Sequence, residues 1–264
     1  MRGGDWRCVE RRARVGGMSV AFLFPGLGSL RPGMLHRLPD TAASATVLAE
    51  AECVHPGGVA ELDTAGTLAE SEVARHVCLL IAGVAGARAL MEDEHVRPAV
   101  VAGHGLGCFG AAVAAGLLSF PEALRAVRIR AELLERAEEP LPDLAIRMAQ
   151  HLATVPRRTH TLPYVTSTGG VCLRGDTNGV FDDLARSVSL PVRWVEMTAT
   201  LRGTGADRWL EMPPGRALTT VLEEVQGDLA GIVSVEERGI AEAAEFARGE
   251  ADGTGGADEA DEGE

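Results

Sequence analysis

Residues 103–107 read Gly-His-Gly-Leu-Gly and come directly after a short apolar run. A strand that turns sharply into a helix, with glycine at both ends of the turn, has the form of a nucleophile elbow, whose central residue presents a reactive side chain. Gly103 and Gly107 supply the small size that such a crowded turn needs. The backbone N–H of Leu106 would lie at a helix N-terminus, where developing negative charge is stabilised. The central residue is Gly105, and without a side chain it cannot form a covalent intermediate.

Cys108 is the other residue near this turn whose type could supply a nucleophile. It comes three residues after Gly105, in the first turn of the predicted helix. A thiol there could have a pKa lowered by the helix N-terminus, which would favour the reactive thiolate. The sequence offers no identifiable base to activate it, and a free cysteine is commonly a small core residue. Both interpretations of Cys108 stay open at this point.

The elements that must position these residues alternate between strands and helices. Helix 121–138 has the clearest start signal, with Ser119 as N-cap and Glu122 three residues later. This alternation predicts an α/β fold with a doubly wound, mostly parallel sheet and helices on both faces. The further predicted strands are a run after Met18 and residues 98–102, 162–166, 208–212 and 232–235, and the further predicted helices are 71–91, 108–118, 144–152, 182–190 and 216–225.

Charge and complexity divide the chain into three parts. The formal net charge is −13, but residues 1–17 carry +3 and residues 250–264 carry −7, which leaves −9 on the body between them. An acidic body disfavours nucleic acid, because phosphate binding needs clustered basic residues. The predicted parts are a disordered extension over 1–17 (with Met1 and Met18 both open as the start), one α/β domain over 18–247, and a disordered acidic tail over 248–264.

Cysteine usage and hydropathy narrow the class further. The five cysteines are odd in number and show no C-x-x-C spacing, so neither a disulfide framework nor a metal site is expected. Reduced thiols fit a cytoplasmic protein, and no cofactor is expected. Residues 98–121 hold no charged side chain except His104. Their recurring glycines favour a buried strand that runs into a buried helix over a membrane span.

Five segments resemble, in the same order, motifs of the malonyl-CoA:acyl-carrier-protein acyltransferases. The resemblance runs, with gaps, from about Ser19 to about Val225 and implies that family's α/β fold. The segments are residues 22–29 (FLFPGLGS), which resemble F-P-G-Q-G-S; 103–107 (GHGLG), which resemble G-H-S-L-G; 111–130, which resemble the following helix with its arginine; 190–194 (LPVRW), which resemble S-P-V-R-W; and 210–218 (LEMPPGRAL), which resemble E-x-G-P-G-x-x-L.

The resemblance implies a mechanism and a set of site residues. In the family, a serine activated by a histidine takes an acyl group from coenzyme A and passes it to a carrier-protein thiol. Arg130 falls at the position of the arginine that pairs with the free carboxylate of malonyl. The N–H groups of Leu27 and Leu106 fall at the oxyanion hole. His104 matches the elbow histidine, which in the family is a structural partner and not the base.

The resemblance also shows what this chain lacks. Gly105 stands at the position of the serine. Arg130 is followed after only ten residues by residues 140–142, which resemble a stretch beyond the family's ferredoxin-like subdomain. That subdomain, and the base histidine at its exit, are therefore predicted to be deleted. The family's glutamine near the site aligns with Arg75, and its S-N-x-x-G turn corresponds loosely to residues 166–170.

Three hypotheses about function remain open on the sequence alone. The first is a relative of the malonyl-CoA:acyl-carrier-protein transacylases in polyketide or fatty-acid synthesis that forms no acyl-enzyme. Such a pseudoenzyme would act by binding an acyl carrier protein, a synthase partner or an acyl-CoA. The second is an active enzyme with altered chemistry, namely acyl transfer, thioester hydrolysis or decarboxylation, which would use Arg130 and the oxyanion hole, with or without Cys108. The third is a non-functional relic, or a subunit whose missing parts come from another chain.

Overall fold

The structure, a computed structural model, describes residues 19–136, 140–160, 162–226 and 231–250. Its centre is a six-stranded sheet in the order β4-β3-β2-β1-β5-β6. The pairs within β3-β2-β1-β5-β6 are parallel, and β4 joins β3 in antiparallel orientation. The strands are β1 Val20–Phe24, β2 Val100–Gly103, β3 Tyr164–Val165, β4 Cys172–Leu173, β5 Arg208–Glu211 and β6 Ile232–Ser234.

Helices cover the sheet on both sides, as the alternating pattern predicts. Along β1, Phe22 and Phe24 pack in one apolar cluster, and Ala21 and Leu23 pack in a second one. A strand that is buried on both faces is what a doubly wound sheet requires, so the predicted fold class is confirmed. The helices are α1 Ala42–Val54, α2 Ala65–Glu70, α3 Glu72–Arg88, α4 Cys108–Ala114, α5 Phe120–Glu135, α6 Leu141–Ala153, α7 Thr177–Arg186, α8 Trp194–Gly203, α9 Ala217–Gln226, α10 Val235–Arg238 and α11 Ile240–Arg248.

Helix α3 forms much of the larger cluster. Together with the π-helical turn Ala89–Asp93 it makes a segment, Glu72–Asp93, that is long and apolar enough to cross a membrane by length and composition. In the fold, 83% of the apolar stretch within this segment is buried. A core helix passes the same test, and the contacts of α3 with α1 and α5 account for its composition.

The ends of several helices follow from local hydrogen bonds. The capping box predicted for α5 is present, because Ser119 N–H donates to Glu122 Oε2 (2.8 Å) and Glu122 N–H donates to Ser119 Oγ (3.4 Å). The predicted helix over 182–190 is wrong in position. Asp176 caps α7 by accepting from Gly179 N–H (2.9 Å), so α7 begins at Thr177 and ends at Arg186.

The connection after Arg130 is short. Helix α5 ends at Glu135 and α6 begins at Leu141, so five residues separate the two helices. No subdomain of several tens of residues fits in that space. The predicted extension over 1–17 and nearly all of the predicted acidic tail lie outside the described residues.

The pairing register of β1, β2 and β5 brings the ends of these strands to one edge of the sheet. Phe24 of β1 pairs with Gly103 of β2, and Leu23 pairs with Glu211 of β5, so these three strands end at nearly the same level. Ligands of open α/β sheets bind beyond the carboxyl ends of the strands. The loops that follow Phe24, Gly103 and Glu211 are the ones that the sequence motifs occupy.

Candidate functional site

The turn after β2 has the packing of an elbow. A 3-10 turn, Gly105–Gly107, leads from the strand into α4. A Cβ on Gly107 would lie 2.5 Å from the carbonyl oxygen of Pro25, and one on Gly103 would collide with the backbone of Cys108. Backbone atoms, and not flexible side chains, therefore require glycine at both ends of the turn.

Gly105, at the centre, has a different environment. Its φ is +56°, in the left-handed region that residues with side chains rarely adopt. A Cβ there would meet nothing closer than Val192 Cγ2 at 3.6 Å. The elbow thus keeps open space for a side chain that this chain does not have. The N–H of Gly105 donates to Ser167 Oγ (3.1 Å).

The two expected oxyanion donors lie on adjoining turns. Leu27 begins the 3-10 turn Leu27–Ser29, and Leu106 lies in the elbow turn, so the N–H of each is among those that have no partner within its own turn. The two loops touch, because His104 N–H donates to the Phe24 carbonyl (2.8 Å). A Cβ on Gly26 would lie 2.9 Å from the His104 carbonyl oxygen.

His104 is half-buried between this loop and α8. Its ring lies 5.6 Å from that of Trp194 in an edge-to-face arrangement. Burial lowers the pKa of His104, so the ring is neutral at pH 7. The predicted structural role stays a prediction, and these contacts support it.

Arg130 is buried, with 7% of its surface exposed. Its Nη1 contacts His76 Nε2, and its Nη2 donates to the carbonyl oxygen of Ser187 (3.2 Å). Its Nε is buried and, among the described residues, has no hydrogen-bond partner. Within the same part of the chain no carboxylate forms an ion pair with Arg130. The guanidinium is therefore a buried cation that the Glu72 carboxylate attracts without forming an ion pair, and a bound anion would stabilise it further.

His76 on α3 is a site residue that the sequence analysis missed. Its Nδ1 donates to the Glu72 carbonyl (2.8 Å), which leaves Nε2 as the acceptor for Arg130. Burial, aided by the charge of Arg130, lowers the pKa of His76 to about 4. Arg75, the residue that aligns with the family's glutamine, instead donates to the Leu68 carbonyl (2.6 Å). The one signal available in the sequence was a histidine inside an otherwise apolar helix.

Of the two interpretations of Cys108, the structure favours the core residue over the substitute nucleophile. The side chain is fully buried, and burial raises the pKa of its thiol to about 12, with the nearby Asp183 carboxylate as a second cause. The field of a helix terminus is too small to offset complete removal from water. Cys108 is a protonated, fully buried core residue. It therefore lacks the thiolate form and the exposure that a substitute nucleophile needs.

A buried carboxylate below the elbow was also missed. Asp183 on α7 accepts four hydrogen bonds, which hold the turn that follows β3. The donors are Tyr164 Oη (2.8 Å), Ser167 N–H (2.9 Å), Thr168 N–H (2.8 Å) and Thr168 Oγ1 (2.7 Å). The turn over residues 166–170 is the one that corresponds to the family's S-N-x-x-G segment.

The loop after β5 closes the opposite side of the site. Glu211 is fully buried and accepts from the N–H groups of Leu218 (2.9 Å) and Thr219 (2.7 Å), which anchors the start of α9. Burial raises the pKa of Glu211. Gly215 lies against the carbonyl of Ser29, so this loop supports the one that carries Leu27. Among the described residues, no group of three or more His, Cys, Asp or Glu is placed to hold a metal ion.

Comparisons with known proteins agree with this geometry, although no family model matches the chain. The human mitochondrial malonyl-CoA-acyl carrier protein transacylase is 34% identical over 144 residues, which is 52% of this chain and 36% of that protein. The corresponding transacylase of Escherichia coli K12 is 24% identical over 311 residues, 86% of this chain and 99% of that protein. A solved complex of a malonyl-transacylase with its type II polyketide synthase acyl carrier protein has a TM-score of 0.72 at 20% identity, and the match covers 82% of this chain and 95% of the other.

The alignment with the Escherichia coli protein is longer than this chain. Its 311 positions take in 86% of 264 residues, about 227, so about 84 positions have no residue from this chain. The short connection between α5 and α6 is one place where this chain has room for few of those positions. The present chain spans nearly the whole of that relative and about a third of the human one.

Proposed function

Because the chain belongs to the malonyl-CoA:acyl-carrier-protein transacylase family, we propose that it binds a carboxylated acyl thioester in fatty-acid or polyketide synthesis without forming an acyl-enzyme. The thioester is carried by coenzyme A or by an acyl carrier protein. The protein acts by holding this ligand or its carrier, and not by transferring the acyl group.

Arg130 is the observation that carries the proposal. A buried guanidinium with an unsatisfied Nε and no ion-paired carboxylate in the described chain would be stabilised by a bound anion. A carboxylate would pair with it through charge-assisted hydrogen bonds. Arg130 lies near the elbow, since its charge acts on the thiol of Cys108, the residue directly after the elbow turn. A ligand with a free carboxylate and a thioester carbonyl would use Arg130 and the N–H groups of Leu27 and Leu106.

The chemistry of transfer lacks its two reacting groups. Gly105 provides no nucleophile, and the protonated, buried thiol of Cys108 does not replace one. His76 has a pKa of about 4 and its Nε2 is already used by Arg130, so it is not a base for the elbow. Because the members of a nucleophile–base unit act together, losing both removes ordinary acyl transfer.

The rim of the elbow suits an acidic carrier protein. Arg193 follows Val192, the residue nearest the space above Gly105, and its side chain is 57% exposed. Arg186, at the end of α7, is equally exposed. Each forms only an exposed ion pair on its own helix, with Glu196 and Asp182, and such pairs are weak. An acidic partner can therefore compete for both guanidinium groups.

Calorimetry with two coenzyme A thioesters tests the proposal. Malonyl-CoA should bind about tenfold or more tightly than acetyl-CoA, which lacks the carboxylate. Arg130→Met should remove that preference, and Arg125→Met, on the exposed side of α5, is the matched control. Equal binding of the two thioesters, or no binding of either, would overturn the proposal.

The alternative is an enzyme with altered chemistry, and the retained N–H groups of Leu27 and Leu106 favour it. Incubation with radiolabelled malonyl-CoA decides between the two. Unchanged thioester and unlabelled protein support a binding role. A stable protein adduct, free malonate or acetyl-CoA would instead show transfer, hydrolysis or decarboxylation.

A further inference from the structure

Glycine at the centre of the elbow changes what holds the turn in shape. Glycine populates positive and negative φ about equally, so Gly105 has no conformational preference of its own for the observed value of +56°. The flanking glycines are equally permissive, although packing confines them. Besides the turn's own hydrogen bond from Gly107 N–H to the His104 carbonyl (3.0 Å), contacts with other parts of the chain must therefore hold its shape.

One such contact joins the elbow to a loop 62 residues away. Gly105 N–H donates to Ser167 Oγ (3.1 Å). Ser167 is almost completely buried and is itself fixed on both sides. Its N–H donates to Asp183 Oδ2 (2.9 Å), and its carbonyl accepts from Arg193 N–H (2.9 Å). The hydroxyl that receives the elbow amide thus has very little freedom to move.

Asp183 gives this loop its rigidity. Its carboxylate is buried on α7 and accepts the four hydrogen bonds described above, so both of its oxygens are used twice. Hydrogen bonds to an ionised acceptor in a buried setting are among the stronger ones in proteins. Hydrogen bonds therefore connect α7 to the elbow without a break: Asp183 accepts from Ser167, and Ser167 accepts from Gly105.

We propose that Ser167, held by Asp183, is a positioning residue that keeps the elbow in its donor-presenting shape. With the Gly105 N–H bound to Ser167, the next N–H along the chain, that of Leu106, is the elbow donor left without a partner within the turn. The consequence for ligand binding rests on the proposed function, whereas the restraint on the elbow does not.

Amide hydrogen exchange, read by NMR on the full ¹⁵N-labelled chain, tests the restraint directly. Ser167→Ala should speed exchange at Gly105 by about tenfold or more, because this amide loses its acceptor and the turn can open. Exchange in α3 should not change. Thr168→Val is the matched control, since it removes a hydroxyl from the same carboxylate without touching Gly105, and it should leave the elbow amides as in the parent protein.

A second substitution guards against misfolding of the first. Ser167→Cys keeps the size of the side chain but is a weak acceptor, so it should speed elbow exchange at a nearly unchanged melting temperature. Ser167→Thr keeps the hydroxyl and should restore protection. Unchanged exchange in both Ser167→Ala and Ser167→Cys, or equal acceleration in Thr168→Val, would overturn the proposal.

Binding gives a separate readout. Ser167→Ala should weaken malonyl-CoA binding by several-fold while Thr168→Val does not. If the parent protein binds no thioester, the proposed function fails, and the exchange data still decide whether Ser167 positions the elbow.

Discussion

The elbow and the surroundings of Arg130 lie side by side, but different kinds of contact hold them. At the elbow, backbone packs against backbone: Gly107 meets the carbonyl groups of Phe24 and Pro25. Around Arg130, contacts between side chains hold the structure, above all the contact with His76. A shape built by backbone packing does not depend on the reactive side chain, so it persists with glycine at its centre. A pocket built by side chains changes its chemistry with each substitution.

The largest effect should come from breaking the elbow itself. Gly107→Ala places a Cβ against two carbonyl groups that cannot move without shifting β1, so we expect a loss of about 4 kcal/mol in the free energy of unfolding. Gly105→Ala is the matched control. It has space, and only the positive φ opposes it, so it should cost about 1 kcal/mol. Urea unfolding of both variants measures the difference, and equal losses would contradict the comparison.

The Arg130 pocket should instead be sensitive to acid. The folded-state pKa of His76, about 4, lies below its ordinary value of 6.5, so the unfolded chain takes up the proton first. Stability from the neutral imidazole is fully present above pH 6.5 and is lost as the pH falls toward 4, by about 2–3 kcal/mol. His76→Gln keeps an acceptor but does not titrate. Its unfolding free energy should therefore fall less between pH 6.5 and 4, and identical slopes would refute this.

The start of α5 offers a test away from both regions. Arg158 donates to both carboxylate oxygens of Glu122 and, with the Ser119 cap, lowers the pKa of Glu122 to about 2. This contribution is present above pH 4.5 and is lost as the pH falls toward 2. Glu122→Gln should cost about 2 kcal/mol at pH 7, measured by thermal unfolding. Glu132→Gln, in a half-buried pair with Arg128 on the same helix, should cost under about 0.5 kcal/mol.

The smallest expected effect is on activity. Gly105→Ser returns a hydroxyl to a position with room for it, but under the proposed function the base and the ferredoxin-like subdomain are lost separately. We expect no labelling of the variant by radiolabelled malonyl-CoA. A labelled serine would show that a base is already present near the elbow, and it would reduce the loss of function to one residue.

Much of the fold could be predicted because it depends on local patterns. The apolar strands, the glycine turn and the capping box at Ser119 all follow from neighbouring residues. Five of the described helices were missed, namely α1, α2, α8, α10 and α11. Helix α1 is rich in alanine and has no distinct apolar stripe, and α8 follows a proline segment that was matched only as a motif. The edge strand β4 is two residues long, too short to leave a pattern.

The site could be predicted only in part, because its partners are distant in sequence. The elbow and Arg130 lie close together along the chain. His76 lies 54 residues before Arg130, and Asp183 lies 78 residues after Gly105. No spacing rule connects either residue to Arg130 or Gly105. The sequence left two interpretations of Cys108 open because burial, which decides the pKa of its thiol, is a property of the assembled fold.

The edge-to-face contact between His104 and Trp194 has a practical consequence. Of the three tryptophans, Trp6 lies outside the described residues, Trp209 is buried at β5, and Trp194 is half-buried beside the elbow. The indole of Trp194 is therefore an intrinsic optical probe at the mouth of the site. A carrier or thioester that settles over Gly105 would change its emission, so occupancy can be followed in real time without a label.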